Sequence, residues 1–250
     1  MKTVILAAGA GSRLKPLTDH IPKCLLKAGE KSILEMTIEN LLATGNSEII
    51  IVTGYLQNII REFISTRFPG INVTFIQNSL FASTNNIYSL WLARDAVMGN
   101  DMMMMDSDII FDKMIITKLL NSGYENCLAL KHHEVHDEEI KVKTDEDGRV
   151  LEIGKNVNPE DASGESIGIE IFGRDTLPEL FGIIDQMVVS EKKVNLFYEA
   201  AFQVLADQKK DLFVVDTTEY LCMEIDTRED LLIADELILN HLKNNNKYSW

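Results

Sequence analysis

The sequence predicts an α/β protein: a doubly wound, mostly parallel mixed sheet with helices on both faces, extended by a small β-rich insertion. Three observations carry this. Apolar strand-like runs and stretches of helical period take turns through residues 1–110, which is the grammar of a parallel sheet crossed by helices. The first run, residues 3–8, is apolar almost throughout instead of alternating, as a strand buried on both faces must be. From about residue 125 the pattern changes to short strands set close together, with Asp145-Glu146-Asp147-Gly148 as a hairpin turn between two of them.

In chain order, residues 3–8 run into Gly9-Ala10-Gly11, a tight turn out of the strand. Ile33, Met36, Ile38, Leu41 and Leu42 lie near helical spacing in residues 32–43, and Gly45 stops that helix. Residues 48–53 are again β-branched and apolar. Residues 55–68 carry a helical stripe of Leu56, Ile59, Ile60, Phe63 and Ile64, and residues 72–76 alternate as a strand. A helix over 86–97 and a buried strand over 102–105 complete the first half. Strands follow at 127–131, 139–144, 150–155 and 165–172, then helices at 177–187 and 196–206, then strands at 212–216 and 220–225. Thr227 and Asp230 have the spacing to cap a closing helix that runs to about residue 243, leaving a polar tail at 244–247 to fray. No repeat or low-complexity linker divides the chain. One domain over 1–250 is expected, with a first half at 1–125, a second part with the hairpin and two helices at 126–226 and a C-terminal helix at 227–250.

Composition narrows the function classes. The 250 residues hold 24 Lys+Arg against 39 Asp+Glu, a formal charge of −15, and are 46% hydrophobic. A chain with that apolar share builds a core and is not disordered. Its acidity argues against nucleic acid and anionic membrane as partners, both of which select basic surfaces. The charge is uneven, however: residues 1–31 hold six bases against two acids, whereas residues 134–170 hold twelve acids against four bases. Cys24, Cys127 and Cys222 are an odd number with no metal-ligand spacing, as in a reduced, cytoplasmic protein whose cysteines serve packing. Lys2 and the apolar run at 4–8 begin as a signal peptide does, but the run ends at Gly9, and Arg13, Lys15 and Pro16 follow where such a peptide stays apolar. No run approaches the length of a membrane span. The apolar second half could carry a homodimer contact.

The chemistry is concentrated in three places. Leu6-Ala7-Ala8-Gly9-Ala10-Gly11-Ser12-Arg13-Leu14 follows the first strand, with Pro22-Lys23 downstream. Gly9 and Gly11 permit positive φ and close backbone approach, so that several N–H groups can meet phosphate oxygens, and Arg13 and Lys23 can neutralise a polyphosphate. The pattern is neither of two familiar glycine-rich fingerprints: Leu14 stands where the dinucleotide-binding pattern needs Gly or Ala, and no Gly-Lys-Ser/Thr follows. The second place is Asp106-Ser107-Asp108 at the end of a buried strand, on the edge where doubly wound sheets bind ligands. Paired carboxylates there suit a hard cation such as Mg²⁺. The spacing alone leaves open which of Asp106 and Asp108 is the main ligand. The third is Glu224-Ile225-Asp226, after the last strand, from which Asp226 could supply a second carboxylate.

Taken whole, residues 4–27 closely resemble the signature of the nucleotidyltransferase superfamily, whose members join a nucleoside triphosphate to a phosphorylated small molecule and release pyrophosphate. The resemblance implies a Rossmann-like fold in which Gly9 to Ser12 hold the triphosphate, Arg13 meets its outer phosphates, and Lys23 bridges nucleotide and acceptor phosphate. It also implies Asp108 and Asp226 as Mg²⁺ ligands, with Asp106 beside the nucleotide. Asn85-Asn86-Ile87-Tyr88-Ser89-Leu90 resembles the choline-phosphate, phospho-alcohol and phosphonate cytidylyltransferase branch. From that branch come the expectations that the substrate is CTP, and that the base is read by backbone at Leu6, Ala7 and Ala8 and by polar groups including Gln77, Thr84 and Asn85.

For the acceptor, a small phosphate ester or phosphonate, the same resemblance places Asn86 at the site and gives Lys141 and Lys155 the phosphorus oxygens. Glu165 and Glu199 would meet hydroxyl or ammonium groups. Phe197 and Tyr198 beside Glu199 are the only remnant of an aromatic box for quaternary ammonium, since Trp91 falls inside a helix and Trp250 at the end of the sequence. Two alternatives stand beside this reading: a hexose-1-phosphate nucleotidyltransferase using UTP, dTTP or GTP, and a non-catalytic nucleotide-sensing subunit of the same fold.

Overall fold

The computed structural model describes the backbone of residues 1–244 and side chains through residue 238; residues 245–250, including Trp250 and most of the tail expected to fray, lie outside the described residues. Strand β1 (Lys2–Ala7) leads through a glycine-rich loop and the short ribbon β2 (Lys27–Ala28) and β3 (Lys31–Ser32) into helix α1 (Ile33–Ala43). Then come β4 (Ile49–Thr53), α2 (Gln57–Arg67), β5 (Val73–Gln77), α3 (Asn86–Val97), β6 (Met102–Asp106), β7 (Ile109–Phe111) and α4 (Met114–Leu120). The second half contains β8 (Cys127–Lys131), β9 (Lys141–Thr144), β10 (Val150–Gly154), β11 (Gly164–Phe172), α5 (Leu177–Asp185), α6 (Glu199–Asp207), β12 (Phe213–Asp216), β13 (Cys222–Glu224) and α7 (Arg228–Asn244).

Nine strands form one mixed sheet, in the order β10-β9-β11-β6-β1-β4-β5, with β8 pairing β11 and β12. Strands β5, β4, β1 and β6 are mutually parallel, and β11 joins them antiparallel to β6, so one sheet runs through both halves of the chain. Period-two alternation explains why β1 is apolar at every position. Val4 and Leu6 join Ile50, Val52, Met102 and Met104 on one face, against α3, α5 and α6. Ile5 and Ala7 join Ile49, Ile51, Met103 and Met105 on the other, against α1, α2 and α4. Both faces are therefore covered by helices, and the run of four methionines in β6 is core, fully buried on either side of the sheet.

From β1 the chain moves outward to β4 and β5, then returns to place β6 on the other flank of β1. The sheet thus has its switch point between β1 and β6, and ligands of open α/β sheets bind beyond the carboxyl ends of strands at such a point. Those ends are Ala7, which opens the glycine-rich loop, and Asp106.

Several elements depart from the sequence reading. The helix expected at 177–187 is α only to Asp185 and closes in a π-helical turn, Gln186–Ser190. The helix expected from 196 starts at Glu199, and the Tyr198 amide just before it is held by Asn86 Oδ1 at 2.9 Å. The strand expected over 220–225 shrinks to Cys222–Glu224, since the Tyr220 amide closes a turn on the Thr217 carbonyl. The hairpin at 145–148 does form, with Asp145 Oδ1 accepting from the amides of Asp147 and Arg149, and Gly148 at φ +80°. Helix α7 opens on the expected reciprocal cap: Thr227 Oγ1 accepts from the Asp230 amide and Asp230 Oδ2 from the Thr227 amide. No helix of the described residues is long and apolar enough to cross a membrane.

Candidate active site

The loop after β1 is shaped by two glycines in different ways. Gly11 takes the left-handed conformation at φ +59°, and a Cβ there would lie 3.0 Å from Lys23 Cβ and 3.1 Å from Thr18 Cγ2. Only glycine therefore lets the loop fold back on the segment that carries Lys23. Gly9 does not take positive φ, contrary to the sequence expectation, and a Cβ there would touch nothing. What it leaves open is space on the ligand side. The segment between is fixed by Thr18, whose Oγ1 donates to the Gly11 carbonyl at 2.8 Å, and by Tyr55, whose hydroxyl donates to the carbonyls of Thr18 and Asp19. Pro22 then turns the chain into a 3₁₀ turn, Lys23–Leu25, that presents the Lys23 side chain.

The two acidic motifs meet although 118 residues separate Asp108 from Asp226. The cause is the antiparallel ribbon β13–β7, which pairs Glu224 with Ile109, and one further bond from the Ile225 amide to the Asp108 carbonyl at 2.9 Å. Buried Ile110 and Ile225 join α7 and α1 in a third apolar cluster beneath it. The result is a charge network. Lys23 Nζ lies 2.6 Å from Asp108 Oδ2 and 2.7 Å from Asp226 Oδ1, and Arg13 Nη2 lies 2.6 Å from Asp226 Oδ2.

Burial alone would depress the Lys23 ammonium, but the two carboxylates outweigh it and hold its pKa above the ordinary value. Burial would likewise raise Asp226; its bonds to Lys23 and the charges of Lys23 and Arg13 keep it low. At Glu224 the Lys23 charge offsets only part of the burial. Desolvation and the charges of Asp108 and Asp226 push it up to about 8. Carboxylate oxygens of Asp108, Glu224 and Asp226 all lie within 4.8 Å of one another. An all-oxygen donor set whose repulsion Lys23 and Arg13 offset only in part fits a hard divalent cation.

Asp106 has a different role from Asp108. Its Oδ2 accepts from the Tyr198 hydroxyl at 2.8 Å, and Gly168, at φ +72°, packs so closely that a Cβ would lie 2.9 Å from the same oxygen. Desolvation, then the charges of Asp108 and Glu199, raise its pKa well above the carboxylate range.

These groups share one cleft of about 790 Å³. Leu6, Ala7, Ala8, Gly9, Gly11, Ser12, Arg13 and Lys23 line it from the β1 side, and Thr84, Asn85 and Asn86 from the start of α3. Asp106, Asp108 and Asp226 form its floor, and Lys155, Glu165 and Glu199 lie on the wall built by the second half. Three predicted residues are not on it. Ala10 falls within the loop but off the lining. Gln77 lies on β5 outside the cleft, and its neighbour Asn78, 1% exposed, lines it instead, holding Thr84 Oγ1 and Ser89 Oγ each at 3.1 Å. Gln77 ends β5 with its side chain exposed, and Asn78, directly after it, is the one of the two that turns inward.

Lys141 is the larger correction. It is 1% exposed, and its Nζ donates to the carbonyls of His136, Asp137 and Glu139, tying down the loop before β9. It holds this loop and does not line the cleft. Sequence reasoning missed Lys131, His133, Glu138 and Glu139, which do. His133 Nε2 pairs with Glu165 Oε2 at 2.9 Å, and Lys155 Nζ with Glu138 Oε2 at 3.0 Å. No local motif marks these residues. The three cysteines are buried, and desolvation pushes Cys24 and Cys222 up to about 12 and Cys127 to about 11, so all stay thiols and serve packing.

A glycine-rich loop at a sheet switch point, a lysine and arginine on paired carboxylates, and a second wall for another substrate are the parts of an enzyme that handles a polyphosphate. The family model described as Nucleotidyl transferase matches residues 2–152. The chain belongs to the nucleotidyl transferase family.

Among the relatives of this nucleotidyl transferase is CTP:phosphoglutamine cytidylyltransferase of Campylobacter jejuni, 28% identical over 94% of this chain and 100% of the relative. Choline-phosphate cytidylyltransferase of Streptococcus pneumoniae is 27% identical over 96% of this chain and 99% of the relative. A solved structure of CTP:phosphocholine cytidylyltransferase from the same species superposes with a TM-score of 0.80 at 26% identity, covering 95% of this chain and 98% of that one.

Proposed function

We propose that this nucleotidyl transferase is a cytidylyltransferase that transfers CMP from CTP to the phosphate or phosphonate of a small acceptor and releases pyrophosphate. The observation that carries the chemistry is the network of Lys23, Arg13, Asp108 and Asp226 set beside the glycine-rich loop. Support for CTP is the Asn85-Asn86 start of α3 on the cleft and the names of the two relatives that span the chain.

In this reading an oxygen of the acceptor's phosphorus group attacks the α-phosphorus of CTP in line, the bond from that phosphorus to the bridging β-oxygen breaks, and pyrophosphate leaves with its electrons. The nucleophile is already an anion, so no general base is required. The residues' task is to align two anions and offset their repulsion. Backbone amides of the Gly9–Ser12 loop hold the triphosphate. Arg13 and Lys23, kept in place by Asp226 and Asp108, supply fixed positive charge where negative charge accumulates. Asp108, Asp226 and Glu224 would hold Mg²⁺, which when bound adds charge compensation and orients phosphate oxygens. Asn86 secures the second wall through the Tyr198 amide.

The test is pyrophosphate release across CTP, UTP, dTTP and GTP with a panel of phospho-alcohols, phosphonates and hexose 1-phosphates. CTP with a phospho-alcohol or phosphonate is expected to dominate. Preference for another nucleotide with a hexose 1-phosphate would replace the reading, and tight CTP binding without any pyrophosphate would make the protein a sensor.

A further inference from the structure

The second wall carries a donor set of its own. Strand β8 ends at Lys131 and β9 begins at Lys141, and both of these residues pair with Glu165 of β11. The loop between them, residues 132–140, therefore starts and ends beside Glu165 and brings two further side chains to it. Ligand atoms of His133, Glu139 and Glu165 all lie within 4.8 Å of one another, and all three residues line the cleft. The loop is held at both ends: the His132 amide donates to Thr218 Oγ1 at 2.8 Å, and Lys141 Nζ donates to the carbonyls of His136, Asp137 and Glu139. Glu139 Oε2 in turn accepts from the His136 amide at 2.8 Å. The donors are thus placed by the fold itself, as a metal site requires.

One tautomer and two distances say what belongs between them. His133 Nδ1 lies 3.0 Å from the Glu134 carbonyl, which can only accept, so Nδ1 carries a hydrogen. Nε2 then faces two carboxylates, 2.9 Å from Glu165 Oε2 and 3.9 Å from Glu139 Oε2. A nitrogen lone pair does not face two anions without a cation among them. The nearby lysines do not serve: Lys131 Nζ donates to the Cys222 carbonyl at 3.2 Å, and Lys155 is engaged by Glu138. A proton on Nε2 would serve Glu165 but leave Glu139 beyond hydrogen-bond reach. A substrate ammonium is too large, because acceptors around one nitrogen at hydrogen-bond distance stand roughly 4.5 Å apart. Donors about 2.1 Å from a metal ion stand roughly 3 Å apart at right angles and about 4 Å apart across it, which matches the two separations. We infer that His133, Glu139 and Glu165 form a cation site separate from the Asp108–Asp226 carboxylates, for a first-row transition-metal divalent ion such as Zn²⁺. An imidazole nitrogen with two carboxylate oxygens favours such an ion, whereas the all-oxygen set of Asp108, Glu224 and Asp226 favours Mg²⁺. Three protein ligands leave positions open toward the cleft for water or a substrate oxygen. The site binds its ion whichever nucleotide and acceptor the enzyme uses.

The test is calorimetric titration of the full chain with ZnCl₂ in excess MgCl₂ and without nucleotide. Wild type is expected to bind Zn²⁺ at least about 10²-fold more tightly than His133→Ala or Glu139→Gln, since losing even an outer partner of a metal ligand costs about 10–100-fold. Asp108→Asn/Asp226→Asn is expected to keep the wild-type affinity. X-ray absorption at the zinc edge of the wild type should show one imidazole nitrogen among oxygen donors. No zinc bound by the wild type, or the same affinity in His133→Ala, overturns the site. Loss of zinc in Asp108→Asn/Asp226→Asn with none in His133→Ala overturns it likewise, because the ion would then sit on the carboxylates assigned to Mg²⁺. Should the loop variants fail to fold, the wild-type absorption spectrum decides: a shell of oxygen alone, or of several imidazoles, contradicts the site.

Discussion

The Lys23 ammonium stands between two carboxylates in the free enzyme, so its replacement removes a cation that is bonded to both Asp108 and Asp226. Lys23→Ala is expected to lower turnover by about two orders of magnitude or more, the scale of losing one electrostatic group that acts in the transition state. Circular dichroism should show the fold retained. Near-normal turnover would remove Lys23 from the mechanism. Glu199 yields a second expectation with a definite sign. Its pKa in the folded protein, about 7, lies above the 4.5 of an unperturbed glutamate, so the native state binds the proton more tightly than the unfolded chain. Its contribution therefore weakens as pH rises from about 4.5 through 7. At pH 8, Glu199→Gln should be more stable than wild type by about 1–3 kcal/mol, and the difference should vanish near pH 4, measured by urea denaturation at both values.

At the scale of elements, the site depends on close backbone approaches that only glycine allows. Gly168 and Gly45 both have positive φ, but a Cβ at Gly168 meets Asp106 Oδ2 whereas one at Gly45 meets nothing. Both alanine variants should lose about 1 kcal/mol to backbone strain, a fall of about 2–4 °C in Tm for a chain of this size. Only Gly168→Ala should also lose activity, because it displaces Asp106. Equal activity in the two variants would separate Asp106 placement from catalysis.

The elements also explain what could be read in advance. The parallel half was legible because β1, β4 and β6 are buried on both faces, and a doubly buried strand is apolar without interruption. The loop after β1 was legible because its glycines, Arg13 and Lys23 lie within 15 residues of one another in sequence. The second wall was not. Lys131 ends β8, while His133, Glu138 and Glu139 come from a loop with no periodicity, and Lys141 has the composition of a ligand but is spent on three carbonyls of that loop. Strand β7 and ribbon partner β13 are three residues each, too short for a pattern, yet their pairing brings Asp226 to Asp108.

Over the whole molecule, the formal charge of −15 is organised. Buried or crowded acids at Asp106, Glu170, Glu199 and Glu224 all have raised pKa values, chiefly through desolvation. Each favours the native state less as pH rises through neutrality, so the free protein should lose stability between pH 6 and 8. A divalent cation on the carboxylates of Asp108, Glu224 and Asp226 should reverse part of that loss. Thermal denaturation at pH 8 is expected to show a rise in Tm with millimolar MgCl₂, larger in the presence of CTP and absent in Asp108→Asn/Asp226→Asn. The same rise in that double variant would place the cation elsewhere.

In the proposed reaction the CMP unit of CTP is joined to an oxygen of the acceptor's phosphorus group. Phosphorus NMR of the reaction mixture tests it most directly, because it identifies every bond made and broken. A new pair of coupled signals from an acceptor-to-CMP anhydride is expected, appearing together with an equal amount of pyrophosphate as CTP is consumed. Release of orthophosphate with CDP, or of pyrophosphate with free CMP and an unchanged acceptor, would contradict it.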